Sequence, residues 1–204
     1  MKYYTGFSFF KYSWDQVVST FFQRYPNPRS KHVLTEDTIC HYVKDKRLFT
    51  RKLYSKTNKL PRWGEIFVSG PKHIYIVEES IVDPIAKTLT TYTRNIGYLK
   101  TVMVVEEKCE YSLAEDNKKM TSIKREAWVS SGIYGFSQAI SAFGVERYKK
   151  NACNSEKGLL YALERVHSPD KGKELTATER KLKETAKSAS SKAKDMAAKA
   201  GIIQ

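Results

Sequence analysis

Up to about Val129 apolar residues alternate with polar ones in one short run after another, and beyond Ser130-Ser131-Gly132 they recur every third or fourth position instead. Strands place alternate side chains on opposite faces, whereas helices bring residues three and four apart onto one face, so this single change of period divides the chain into a sheet and a helix. Before the change, the spacing predicts strands over Val33 to Val43 and Leu48 to Lys56, then Ile74 to Val82 and Thr88 to Ile96, then Thr101 to Leu113 and Ser122 to Val129. Turn-type residues separate them: Asp45-Lys46, Asp83-Pro84, Asn95 to Gly97 and Asp116-Asn117. Consecutive strands with short connections form an antiparallel meander.

An aromatic run, Tyr4 to Tyr12, reads as a first strand. Ser13-Trp14-Asp15-Gln16 then opens a helix with a capping box, and two prolines in Tyr25-Pro26-Asn27-Pro28 end it. After the change of period, Phe136, Ile140, Phe143, Leu159, Leu163 and Val166 mark one helix of roughly thirty residues, ~45 Å long at 1.5 Å per residue. Gly135, Gly144 and Gly158 argue against its continuity. A long amphipathic helix following one meander has only that sheet to cover its apolar stripe.

Polar residues interrupt both apolar faces. Arg147, Asn151 and Asn154 extend the Ile140–Phe143 line of the helix, by drift of the stripe into solvent or because they line a cavity. Glu107 stands among Met103, Val105, Cys109 and Tyr111, and Arg94 beside Tyr92 and Ile96. Such charges must find partners, reach solvent or line a polar pocket, since a buried uncompensated charge costs several kcal/mol. In Lys56-Thr57-Asn58-Lys59-Leu60-Pro61-Arg62-Trp63, bases surround Leu60 and Trp63; the indole either packs on the core or sits at a bilayer interface beside anionic headgroups.

Thirty-six Lys and Arg against 22 Asp and Glu give a net charge of +14, which favours anionic partners, nucleic acid or acidic lipid. From Lys171 to Gln204 the chain holds nine Lys/Arg, four Asp/Glu and no aromatic residue, a solvated helical or disordered tail appended to a domain of residues 1 to 170. The N-terminus lacks the apolar core of a secretory signal, and no apolar run approaches the ~20 residues that span a bilayer. Cys40, Cys109 and Cys153 are too scattered for a disulfide framework or a zinc site and read as structural thiols. No catalytic motif is present: His32 is a candidate acid or base without a triad, so neither enzymatic activity nor a cofactor is expected.

Arg24-Tyr25-Pro26-Asn27-Pro28, Lys31 to Thr38, Ser55 to Trp63, Ser80 to Pro84, Thr90 to Ile96, Val104 to Glu107 and Arg125 to Ser131, in this order, resemble the PRELI/Ups (PRELI/MSF1 domain) family of mitochondrial phospholipid transfer proteins. The resemblance covers about residues 1 to 170. It implies a StART-like α+β fold, in which a curved seven-stranded antiparallel sheet grips a long C-terminal helix around a lipid cavity. The subgroup it most resembles carries phosphatidic acid between the outer and inner mitochondrial membranes, across the intermembrane space, in support of cardiolipin synthesis.

Arg24 matches the family's basic position at the cavity floor, His32 lies near that pocket, Lys56 matches a base near the mouth, and Arg147 and Asn151 fall on helix positions lining the cavity. Leu60 and Trp63 match the apolar residues of a membrane-facing lid, with Lys59 and Arg62 beside them to dock on anionic mitochondrial membranes. Asn154 stands where some members have Lys, and Arg29 where Tyr is usual. The resemblance also implies a heterodimer with a small twin Cys-x9-Cys protein. The alternatives are an anionic-lipid-sensing scaffold and a nucleic-acid-binding domain. No RNP-type motif supports the second, and a nucleic-acid partner is not expected.

Overall fold

Ser13 begins the first helix as its sequence dictates: the hydroxyl accepts from the Gln16 amide while the Gln16 side chain accepts from the Ser13 amide. The computed structural model describes residues 1–57, 73–97 and 99–168. They form β1 (Lys2–Phe10), α1 (Trp14–Phe21), β2 (Val33–Lys44), β3 (Arg47–Thr57), β4 (His73–Asp83), β5 (Thr88–Ile96), α2 (Leu99–Val102), β6 (Val104–Leu113), β7 (Thr121–Ser130) and α3 (Ser137–His167). The chain divides into two compact units, Met1–Leu163 and Glu164–Gln204, and every element but the last turn of α3 lies in the first. The sequence boundary at Lys171 lies outside the described residues.

The seven strands form one antiparallel sheet in the order β1-β7-β6-β5-β4-β3-β2. Strands β2 to β7 are the expected meander, and β1 closes it by pairing with β7 from Lys2 opposite Val129 to Phe10 opposite Thr121. One expectation needs correction. The strand beginning at Thr101 instead begins at Val104, after the short helix α2. Asn95 accounts for the change: its side chain donates to the Met103 carbonyl at 2.9 Å and accepts from the Val105 amide at 2.7 Å, replacing ladder bonds where the chain turns. Arg94 lies on the outer face and is exposed, like Tyr92, so its charge needs no internal partner.

α3 runs 31 residues through two of the three glycines that argued against it, Gly144 and Gly158. Each permits a close approach. A Cβ at Gly144 would come within 2.5 Å of the Met103 sulfur and 2.6 Å of a Val129 methyl, so the helix touches the sheet there. A Cβ at Gly158 would meet the Asn27 amide at 2.8–2.9 Å, so the same helix packs on the loop after α1. Gly135 precedes the helix in a left-handed conformation, φ +76°.

One end of the inner sheet face is filled. Phe10, Trp14, Val17, Phe21, Val82, Leu89, Ile123, Leu159 and Leu163 form a buried cluster that joins α1 and the C-terminal part of α3 to the strands. Nearer the N-terminal half of α3 the same face is hollow.

Candidate functional site: a charged cavity under the long helix

The hollow is a cavity of about 810 Å³, inside the ~300–1,000 Å³ range of small-molecule sites. Ile74, Ile76 and Val105 on the strands and Ile140 and Phe143 on α3 give it apolar walls. Arg24, His32, Lys56, Arg147 and Asn151, drawn from three separate parts of the chain, all line it. Asn154 does not line it, which corrects the reading of the polar break as one continuous stripe; after Asn151 the next polar lining residue is Ser155. Lys59, Leu60, Arg62 and Trp63 lie outside the described residues.

Arg24 reaches the cavity because the loop after α1 is pinned. The Asn27 side chain donates to the Arg24 carbonyl at 2.7 Å and accepts from the Arg29 amide at 3.0 Å, while its other side abuts Gly158 of α3. Further along, the Thr57 amide donates to the His32 carbonyl at 2.9 Å and ties the loop to the end of β3, beside Lys56.

The Arg24 guanidinium is buried and already engaged. Nη2 donates to both oxygens of Glu78, at 2.8 and 2.7 Å, and to the Tyr54 hydroxyl at 2.9 Å; Nη1 donates to the Phe21 carbonyl at 2.9 Å. The Tyr54 hydroxyl donates to Glu78 at 3.0 Å. The Phe21 ring centroid lies 3.9 Å from the guanidinium carbon, and those of Tyr25 and Tyr54 at 4.9 and 5.6 Å. Burial opposes the Arg24 charge, but Glu78, Tyr54 and Tyr25 together outweigh it and hold the guanidinium protonated, well above its ordinary value. Burial likewise pushes the Tyr54 phenol far up, so it stays a neutral donor.

A second internal pair lies on β6 and β7. Arg125 donates to Glu107 through Nη1 and to Glu156 of α3 through Nε at 3.0 Å, and Ser8 of β1 donates to Glu156 at 2.9 Å. Glu107, flagged by its sequence as needing a partner, finds it in Arg125. Cys109 is buried beside this pair, and burial raises its thiol to about 12, well away from nucleophilic use. Cys153 is exposed, contrary to its reading as a structural thiol.

Sequence reasoning missed Glu78, Tyr54 and Arg125. The alternation that exposed Glu107 also carried two of them, in Ile74-Ile76-Glu78-Ser80-Val82 and Ile123-Arg125-Ala127-Val129. Tyr54 gave no signal, because an inward tyrosine is ordinary core composition.

Counting charges around the cavity separates floor from rim. Arg24, Arg29, Lys31, Lys56, Arg125, Arg147 and Lys150 line it against two carboxylates, Glu78 and Glu107, a formal excess of +5. Both carboxylates are held by the two buried arginines, so the excess belongs to the post-α1 loop, the end of β3 and α3. His32 registers that field. Partial burial and then the Lys56 and Arg147 charges lower its pKa, so its imidazole is neutral near pH 7. Burial also lowers Arg147 somewhat from the usual arginine value.

A sheet curved around one long helix, with a ligand-sized cavity between them, defines a helix-grip, START-like protein. The solved structures agree at the level of fold. The protein TTHA0849 of Thermus thermophilus matches with a TM-score of 0.55 at 11% identity, over 81% of this chain and 99% of that one. The Zhui aromatase/cyclase of a Streptomyces species matches with a TM-score of 0.53 at 8% identity, over 82% and 97%. Within that class a family model described as the PRELI-like family matches residues 15–169, and the chain belongs to that family. The mouse protein named "PRELI domain-containing protein 1, mitochondrial" is 47% identical over 190 residues, 92% of this chain and 87% of the relative. The Saccharomyces cerevisiae "Protein UPS1, mitochondrial" is 32% identical over 151 residues, 74% and 86% of the two chains.

Proposed function

We propose that this chain is a non-enzymatic carrier of phosphatidic acid in the mitochondrial intermembrane space, moving it from the outer to the inner membrane in support of cardiolipin synthesis. The observation that carries this reading is the cavity: apolar walls of ligand size, two internally neutralised carboxylates, and a remaining excess of cations at its rim. The phosphomonoester head of phosphatidic acid is small and bears up to two negative charges, so it suits a compact site built from Lys56, Arg147 and the nearby His32, with Asn151 as a neutral polar neighbour. The acyl chains lie against the Ile74, Ile76 and Val105 side of the sheet and under Ile140 and Phe143. Arg24 contributes from the floor.

Loading begins at an anionic membrane, where Lys59 and Arg62 dock and Leu60 and Trp63 enter the interface as a lid. A small twin Cys-x9-Cys protein covers exposed apolar surface between membranes.

Liposome-to-liposome transfer of fluorescent phosphatidic acid, with phosphatidylserine and a short RNA as parallel probes, tests the proposal. Phosphatidic acid is expected to move quickly, phosphatidylserine slowly, and RNA not to bind. Binding of acidic liposomes without lipid movement identifies a sensing scaffold and ends the carrier reading; tight RNA binding replaces it with a nucleic-acid module.

A further inference from the structure

The floor of the cavity holds a carboxylate where a site for an anion has no evident use for one. Glu78 projects inward from the middle of β4, with its side chain 10% exposed, and both its oxygens lie on Nη2 of Arg24, whose side chain is 6% exposed. An anion can reach that nitrogen only by displacing Glu78 or the Tyr54 hydroxyl, the other group that Nη2 bonds. The carboxylate also has somewhere to go. Lys52 is its cross-strand partner in the β3–β4 register and faces inward, and the Tyr54 hydroxyl already donates to it. Lys52 is itself bonded to Glu36, so these side chains form one polar group running from Arg24 through Glu78 and Tyr54 to Glu36 and Lys52.

We propose that Glu78 is an internal competitor for the bound phosphate and sets how readily the cavity releases its cargo. When the cavity is empty, Glu78 neutralises Arg24, which would otherwise be a buried uncompensated charge. When a phosphomonoester enters, it takes over part of the Arg24 fork and Glu78 turns toward Lys52 and Tyr54. When the lipid leaves, Glu78 returns, so the empty state never holds a bare guanidinium. Affinity is thereby held down and release is made faster, a compromise that a carrier needs and a storage protein does not. The inference rests on the carrier reading above and adds to it the residue that tunes release.

The test uses dioctanoyl phosphatidic acid, with dioctanoylglycerol as the probe lacking phosphate, on the full chain. Glu78→Gln is expected to bind the phosphate-bearing probe at least about tenfold more tightly than the parent, because a competing charge has been removed, while dioctanoylglycerol binding stays the same. Its liposome-to-liposome transfer of phosphatidic acid is expected to fall, since release becomes slower. Thermal unfolding gives a second readout: the variant is less stable when empty, and the probe raises its Tm more than it raises the parent's. Should Glu78→Gln not fold, Glu78→Asp keeps the charge but withdraws it by one methylene, and a gain of about threefold is expected by the same logic.

Equal or weaker affinity in the folded variant, or an equal gain for dioctanoylglycerol, overturns the competitor role and leaves Glu78 a structural partner of Arg24. A parent protein that neither binds nor transfers phosphatidic acid overturns instead the carrier reading on which the inference depends.

Discussion

The two ends of the inner sheet face are built from the same strands and covered by the same helix, yet one is solid and the other hollow. At the solid end, α1 fills the space beneath Leu159 and Leu163, and Trp14, Val17 and Phe21 close against Leu89 and Ile123. At the hollow end no second helix intervenes among the described residues, and the strands present Glu78, Glu107 and Arg125 inward where the other end presents Val82, Leu89 and Ile123. The difference shows a division of work within one core. Dry packing supplies stability at one end, which lets the other end carry buried charges and empty volume that stabilise nothing by themselves.

The largest effect that can break this comparison comes from the hollow end. Arg24→Gln leaves Glu78 buried without its cation, so it is expected to cost roughly 3–5 kcal/mol of stability in urea unfolding and to stop phosphatidic acid transfer. Unchanged stability would mean that the Arg24–Glu78 pair is not the internal anchor its burial indicates. Leu163→Ala, at the solid end, is expected to cost a comparable or smaller ~2–5 kcal/mol while leaving the affinity of the folded fraction for dioctanoyl phosphatidic acid unchanged. Weakened binding there would show that the two ends are mechanically coupled.

Smaller effects sharpen the contrast between floor and rim. Replacing Lys56 and Arg147 together by alanine removes two charge-assisted contacts of ~1.5–3 kcal/mol each, and at least about tenfold slower transfer is expected, with stability altered by less than about 1 kcal/mol. Normal transfer by that double variant would move the headgroup away from the rim.

The smallest effect concerns pH. The fold lowers the His32 pKa, so below the ordinary histidine value of about 6.5 the unfolded chain takes up the proton more readily. Stability contributed by neutral His32 is therefore full above that value and is lost as pH falls from it toward the lower folded value. Tm measured from pH 7.5 to 5 should fall less in His32→Asn than in the parent, and parallel slopes would show that the rim field does not act on His32.

Much of this was legible in the chain itself. The change of period at Ser130-Ser131-Gly132 separated sheet from helix, the capping box marked the start of α1, and the charge at Glu107 pointed to a polar interior. The family resemblance of residues 1 to 170 picked out Arg24, His32, Lys56, Arg147 and Asn151, which the fold gathers around one cavity. What could not be read was pairing. Glu78 is 54 residues from Arg24, Arg125 is 31 from Glu156, and nothing local in any of the four predicts its partner.

Periodicity and capping are properties of neighbouring residues, so the amino-acid order alone settled the seven strands, α1 and α3, though not the short α2 before Val104. Whether an inward charge is neutralised, whether a glycine breaks a helix or admits Asn27 and Met103, and whether the space under α3 is filled depend on residues brought together from distant parts of the chain. Those questions were decided only by the packing of α3 and the post-α1 loop over the curved sheet, because electrostatic compensation and close contact act through space and not along sequence.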